Sequence, residues 1–243
     1  MRRFNVIALI AVVVVALFAV NAFAQDSALK VIEKAGQVLV KAAGTTEFVE
    51  VDIGQSLNPR DVIKTGDIGQ ARLEFPGRSG FTLKPNTEIT IDELVWSNVA
   101  KKVGVSMKVG KMKTLINQLD SPSEFTVKTP SAICGARGTI WFTEVSLTGE
   151  TVILNTENST SFGNLNGSTT YAVTQGNTSS ASSNGTITPP TGAPQSLIAG
   201  MTSGYTVGLI AEPYSEPTGG ANRGSYDFEA PEITLEETAS PTT

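Results

Sequence analysis

At 243 residues the chain has room for one large domain, or a domain with a tail, and 40% hydrophobic residues are enough for a core. It has no histidine and one cysteine, which removes the commonest general base and metal ligand, every Ser-His-Asp or Cys-His arrangement, thiolate metal sites and any intramolecular disulfide. Net charge is −5 with only 17% charged residues, so nucleic acid, which is held through clustered Lys and Arg, is not an expected partner.

Chain order begins with the clearest signal. Arg2 and Arg3 precede Val6 to Val20, a run with scarcely a polar atom, and Ala22-Phe23-Ala24 then puts small residues where a signal peptidase cuts. A membrane span needs roughly 20 apolar residues, and this run is shorter. We expect a leader over residues 1–24, cleaved after Ala24, with retention as an uncleaved anchor the alternative. Cleavage removes two arginines, takes the charge to −7, and leaves no stable membrane span. No cysteine lies near the junction to carry a lipid. The expected location is periplasmic or secreted.

Beyond the leader the dominant period is two. Ala71 to Phe75, Phe81 to Lys84, Thr87 to Asp92, Val103 to Val109 and Phe125 to Val127 alternate apolar and polar residues. On a strand such residues point to opposite faces, so each run has a core face and a wet face. Gly66-Asp67, Pro76-Gly77, Lys84-Pro85-Asn86, Val109-Gly110-Lys111 and Thr148-Gly149-Glu150 read as turns. Short strands at this spacing predict an all-β domain, not βαβ units. Lys113 to Leu119 is the one stretch read as a turn or two of helix. The lysines at 101, 102, 108, 111 and 113 read as solvated charge on one face of a hairpin. Cys134, among small and apolar residues, reads as a buried hydrophobe.

From about Asn155 the chain turns rich in Asn, Thr, Ser and Gly. Tyr171-Ala172-Val173 suggests a strand, Ser179 to Asn184 a flexible loop, and Leu197 to Met201 with Tyr205 to Val207 a last strand pair. Asn158, Asn166, Asn177 and Asn184 match a glycosylation sequon but read as turn residues in this composition. Pro, Gly and acids dominate residues 209–243, which we expect to be disordered. The expected organisation is therefore a leader over 1–24, a β domain over 25–155, a β extension with a flexible loop over 156–208, and the tail.

Two blocks of residues point to a family. The first runs Gly54-Gln55-Ser56-Leu57, Asp61-Val62-Ile63-Lys64-Thr65-Gly66, Gly69-Gln70-Ala71-Arg72-Leu73 and Ser79 to Ile89. The second runs Phe125 to Ala132 and Ala136-Arg137-Gly138-Thr139-Ile140-Trp141-Phe142. In this order the series resembles the FecR-like domain of bacterial envelope proteins over residues 36–155. Ser79-Gly80 replaces the usual Gly-Ser, Ala136 replaces a Val, and Cys134 stands for another small residue. The resemblance implies a β-solenoid or sandwich-like arrangement of short strands, and a motif set of Asp61, Thr65, Gly66, Gly69, Gly80, Pro85, Asn86, Thr129, Pro130, Arg137, Gly138 and Thr139.

These residues also have a direct physical reading. Gly66 and Gly69 suit turns at positive φ, Pro85-Asn86 a turn with a left-handed residue, and Thr129-Pro130 a strand end. Arg137 is expected to brace strand ends or pair with Asp61 or Asp67, with ligand or partner contact as the alternative.

No P-loop, dinucleotide fingerprint or calcium loop is present, so no cofactor, metal or catalytic residue is expected. The leading expectation is a non-enzymatic extracytoplasmic binding or scaffold module that contacts a protein or an envelope polymer. The family's regulators imply an alternative: sensing an outer-membrane transporter and controlling a sigma factor through a cytoplasmic N-terminal segment. With five residues before the hydrophobic run, direct sigma-factor control is not expected. A third reading, carbohydrate or cell-wall binding, requires open aromatic platforms from Trp96, Trp141, Tyr171 or Tyr205.

Overall fold

The computed structural model describes residues 29–97, 99–117 and 123–205; the expected leader and tail lie outside them. Among the described residues the chain is all-β apart from one short helix. Seven short strands come first: β1 (Lys30–Ala35), β2 (Val38–Lys41), β3 (Val49–Glu50), β4 (Val62–Thr65), β5 (Gln70–Glu74), β6 (Gly80–Leu83) and β7 (Glu88–Trp96). The long strand β8 (Lys101–Ile116) follows. After it come β9 (Ser123–Lys128), β10 (Ile133–Ala136), β11 (Thr139–Val145), β12 (Thr151–Glu157), β13 (Ser159–Gly163), β14 (Thr170–Thr174), β15 (Asn177–Ala181), β16 (Thr191–Gly192) and the helix α1 (Gln195–Thr202).

The strands make two layers that share β8. One layer runs β1-β5-β6-β8-β11-β12-β15-β16, the other β3-β2-β4-β7-β8-β9-β10-β13-β14. Every pairing is antiparallel except β8 with β9. As the chain advances it alternates between layers, a solenoid-like winding within a sandwich, and the sheet stays open rather than closing into a barrel.

Alternation places the core between the layers. Leu73, Phe81, Met112, Trp141 and Ile153 face in from the first layer; Ile63, Ile91, Val105, Phe125 and Phe162 face in from the second. Aromatic rings cross the gap. Phe75 stacks on Trp96 with centroids 4.2 Å apart, and Phe125 meets Phe75 at 5.7 Å and Phe81 at 5.5 Å. Cys134 is fully buried in this core, and burial pushes its thiol pKa up, as its apolar setting predicts.

Four local expectations give way. Val109-Gly110-Lys111 is not a turn between strands but the bend that carries β8 from one layer to the other: Lys101–Ser106 pairs in the second layer and Gly110–Ile116 in the first. The same strand absorbs Lys113 to Ile116, where a helical turn is expected. Leu197 to Met201 lies in α1, not a strand. That short apolar run fits either period, and packing decides it, because Leu197, Ile198 and Met201 cover Phe142 and Leu154 on the outer face of β11 and β12. Asn177–Ala181 is strand β15, where the flexible loop is expected to begin. Its small side chains do not prevent backbone pairing with β12, and Ser179 Oγ donates to Thr188 O at 2.6 Å. Tyr171-Ala172-Val173 is in β14, as expected.

Bending β8 also divides the lysine run. Lys102 and Lys108 meet Glu93 and Glu88, both at 3.0 Å, on one layer, and Lys111 meets Glu144 at 3.0 Å on the other. The expectation of one hairpin face does not hold.

Candidate functional site

The twelve motif residues do not converge on one site. Most of them brace separate corners of the sandwich, while Pro130 and Arg137 lie at the surface.

At the first corner the end of β4, the β6–β7 turn and the bend of β8 meet. Thr65 is fully buried; its Oγ1 donates to Lys84 O at 2.7 Å and accepts from Thr87 N at 2.9 Å. Thr87 Oγ1 in turn donates to Lys111 O at 3.1 Å and accepts from Lys111 N at 3.0 Å. Two hydroxyls therefore tie backbone groups of three segments together at this corner. Asn86 has φ 57°, the left-handed turn residue expected after Pro85. Gly66 and Gly69 correct the expectation of positive φ. Neither has it, and their reason is close approach: a Cβ on Gly69 would sit 2.1 Å from Gln37 O, and one on Gly66 3.0 Å from Gln37 Oε1. Gly80 on β6 is similar, since its Cβ would lie 2.0 Å from Leu73 O.

Asp61 is buried, and its two carboxylate oxygens accept from Ala43 N and Asn58 N, each at 2.8 Å. It closes a loop and is not paired with Arg137. Arg137 stands exposed at the end of the β10–β11 connection, with no carboxylate partner among the described residues, and Asp67 is exposed elsewhere. A groove of about 640 Å3 passes Arg137, floored by Thr126, Gly135 and Ser161 and edged by Glu124 and Tyr171.

The remaining motif residues tie inward. Thr129 Oγ1 donates to Ala132 O at 3.2 Å and accepts from Thr151 Oγ1 at 2.7 Å, and Thr151 Oγ1 also lies 2.9 Å from Ser131 Oγ; Pro130 beside them is exposed. Gly138 takes φ 122°, and Asn158, itself at φ 55°, donates to Gly138 O at 2.8 Å. Thr139 Oγ1 donates to Asn155 Oδ1 at 2.9 Å, Thr160 Oγ1 to the same oxygen at 3.1 Å, and Asn155 Nδ2 to Asn158 O at 2.8 Å.

Asn155 joins three strand ends from a fully buried position, and no motif in the sequence marks it, because Asn in this Asn- and Thr-rich stretch reads as a turn residue. Asn155→Ala strips these groups of their partner, so we expect a loss of about 2–3 kcal/mol. That should read as a fall of about 5–10 °C in a thermal melt. A change under about 1 °C would remove Asn155 from this role.

Of the four aromatic candidates none offers an open platform. Trp141 is fully buried, Tyr205 is 9% exposed, Trp96 is stacked on Phe75, and Tyr171 is half-buried against the core. Tyr205 covers the end of α1: its ring meets Phe142 at 5.7 Å and Lys84 Nζ at 4.7 Å. Beside it, on the outer face of β5, β6 and β8, lies a cavity of about 250 Å3 that the sequence does not announce. Two of its cations, Arg72 and Lys113, alternate with apolar neighbours on their own strands, but only strand pairing brings them together.

Among the described residues no cluster of three or more metal-ligating side chains occurs, and no helix is long and apolar enough to cross a membrane. A family model described as FecR protein matches residues 61–177, a span that includes all twelve motif residues. No curated protein matches the chain. Two crystal structures of a candidate anti-sigma factor from Parabacteroides distasonis are similar at 11% identity, each covering 54% of this chain and 59% of that one. Their TM-scores are 0.44 and 0.45. The chain therefore spans about three-fifths of the length of those proteins.

Proposed function

We propose, from the premise that this chain carries a FecR domain over residues 61–177, that it is an exported, non-catalytic module which binds an extended segment of a protein partner. The observation that carries this reading is the end of the second layer. β14 is hydrogen-bonded to β13 along one edge only, and no strand among the described residues pairs with the other. An open antiparallel edge offers N–H and C=O groups at the spacing a further strand needs. Two features support binding over chemistry: the motif polar groups other than Arg137 are engaged in bracing corners, and none of the four candidate aromatic side chains offers an open platform. Export rests on the leader over residues 1–24, and the FecR domain supports a role in signalling, of which partner binding is one step. Cleavage of the leader is tested by the N-terminal residue of the exported protein, expected to be Gln25.

The edge is tested by proline. Along a strand successive N–H groups alternate between its two sides, so of Tyr171→Pro and Ala172→Pro one removes a bond to β13 and the other an open-edge donor. The variant that keeps the wild-type melting curve is expected to lose about tenfold in affinity for the partner captured by the exported protein. Full affinity in that folded variant would reject the edge as the binding surface.

A further inference from the structure

The cavity beside Tyr205 lies at the centre of a cross-strand row. Strand register aligns Glu33 of β1, Arg72 of β5, Thr82 of β6, Lys113 of β8 and Phe142 of β11 on the outer face of the first layer. Thr82 is the short residue of that row, and its neighbour along β6, Gly80, has no side chain. A dent results, with a cation on either flank. Tyr205 closes one side, and Arg78, at φ 66° in the β5–β6 turn, contributes to another.

The charged groups that line the dent are not balanced: Arg72, Arg78 and Lys113 are cations, and Glu74 is the one carboxylate among them. Arg72 is matched by Glu74 Oε2, 2.9 Å from its Nε and 2.5 Å from its Nη2, and by Glu33 Oε2, 3.3 Å from Nη1. Lys34, Lys102, Lys108 and Lys111 each meet a carboxylate within 3.0 Å. Lys113 meets none among the described residues. Its ammonium lies 6.0 Å over the Phe142 ring, and burial, followed by the Arg72 charge, lowers its pKa. A half-buried cation facing a second cation is held at a cost that an anion between them would offset.

We propose that this dent is a binding site for a small oxyanion of the phosphate class, held by Lys113 and Arg72 above the Thr82 hydroxyl. Size argues for a small ligand, because drug-sized ligands occupy pockets of ~300–1,000 Å3 and this cavity is below that range. Composition argues for an oxyanion: ammonium, guanidinium and hydroxyl all donate to it, and the one carboxylate of the lining, Glu74, is held on Arg72. The source is either the free ion or a phosphate ester at the end of a larger molecule.

The test uses the exported chain and two probes, inorganic phosphate and glycerol phosphate, with sodium chloride added to hold ionic strength constant. For a dissociation constant of about 1 mM, about 10 mM inorganic phosphate should raise the melting temperature by about 3–5 °C. Lys113→Met is expected to melt no lower than wild type without phosphate, because it removes the unmatched cation, and to show no response to phosphate. Response to the ester as well would identify an ester-tolerant site; response to phosphate alone would identify the free ion as ligand. An equal rise in wild type and Lys113→Met, or no rise in wild type with either probe, overturns the proposal. Lys64→Met, at an exposed position away from the dent, should respond as wild type does and controls for loss of charge.

Discussion

Gly110→Ala is expected to cost about 3–5 kcal/mol, while Gly44→Ala, a substitution at the same sign of φ, costs about 1. The contrast separates two effects. Gly44 has φ +81° with nothing within 4 Å of the added methyl, so only backbone strain is introduced. Gly110 has φ +108°, and its Cβ would lie 2.4 Å from Thr87 Oγ1, 2.5 Å from Thr87 Cα and 2.7 Å from Asn86 O. The obstruction is backbone, so no rotamer change relieves it. The bend that lets one strand serve two layers would have to open, and the bonds between Thr87 Oγ1 and Lys111 would go with it. Urea titration of both variants measures the difference. A Gly110→Ala variant as stable as Gly44→Ala would show that the bend is not the structural constraint described here.

Phe125→Ala is expected to cost about 4 kcal/mol, and Phe125→Leu about 1–2. Phe125 is fully buried on β9, and its ring meets Phe75 and Phe81 from the opposite layer. Removing it leaves a cavity where the two layers touch, bounded by rings that a rigid sheet cannot bring together. Since β9 is the strand that pairs with β8 in parallel, the loss should also loosen β9 and the strands beyond it. Chemical denaturation gives the magnitude, and amide exchange of β9 and β10 gives the place. A loss below about 1 kcal/mol for the alanine variant would mean that the layers are held elsewhere.

Both positions belong to the domain's construction and not to its ligands. The same holds for most of the motif residues. Thr65, Thr129 and Thr139 are buried and bond within the chain, while Arg137 and Pro130 remain at the surface. The surfaces that remain for binding, the open edge of β14 and the cationic dent on the outer face of β5, β6 and β8, are made by strand pairing.

The sequence alone determined the β character of the domain, most of its turn positions and its inward faces. Period-two alternation is a local property, read correctly at Ala71 to Phe75, Thr87 to Asp92 and Phe125 to Val127, because each side chain's face follows from its neighbours. Asn86 was legible for the same reason, since its turn is written in two adjacent residues. The tertiary structure decided whatever depends on residues distant in the chain. Gly110 reads locally as a turn, and only packing against Thr87 makes it a bend within one strand. Leu197 to Met201 is too short for its period to choose, and the apolar face of β11 and β12 chose helix. Arg72 and Lys113 are 41 positions apart in the sequence and flank Thr82 only because β5, β6 and β8 are neighbours in one sheet. Local stereochemistry is encoded within a few residues, whereas a site exists only once strand register has brought separated residues to one face.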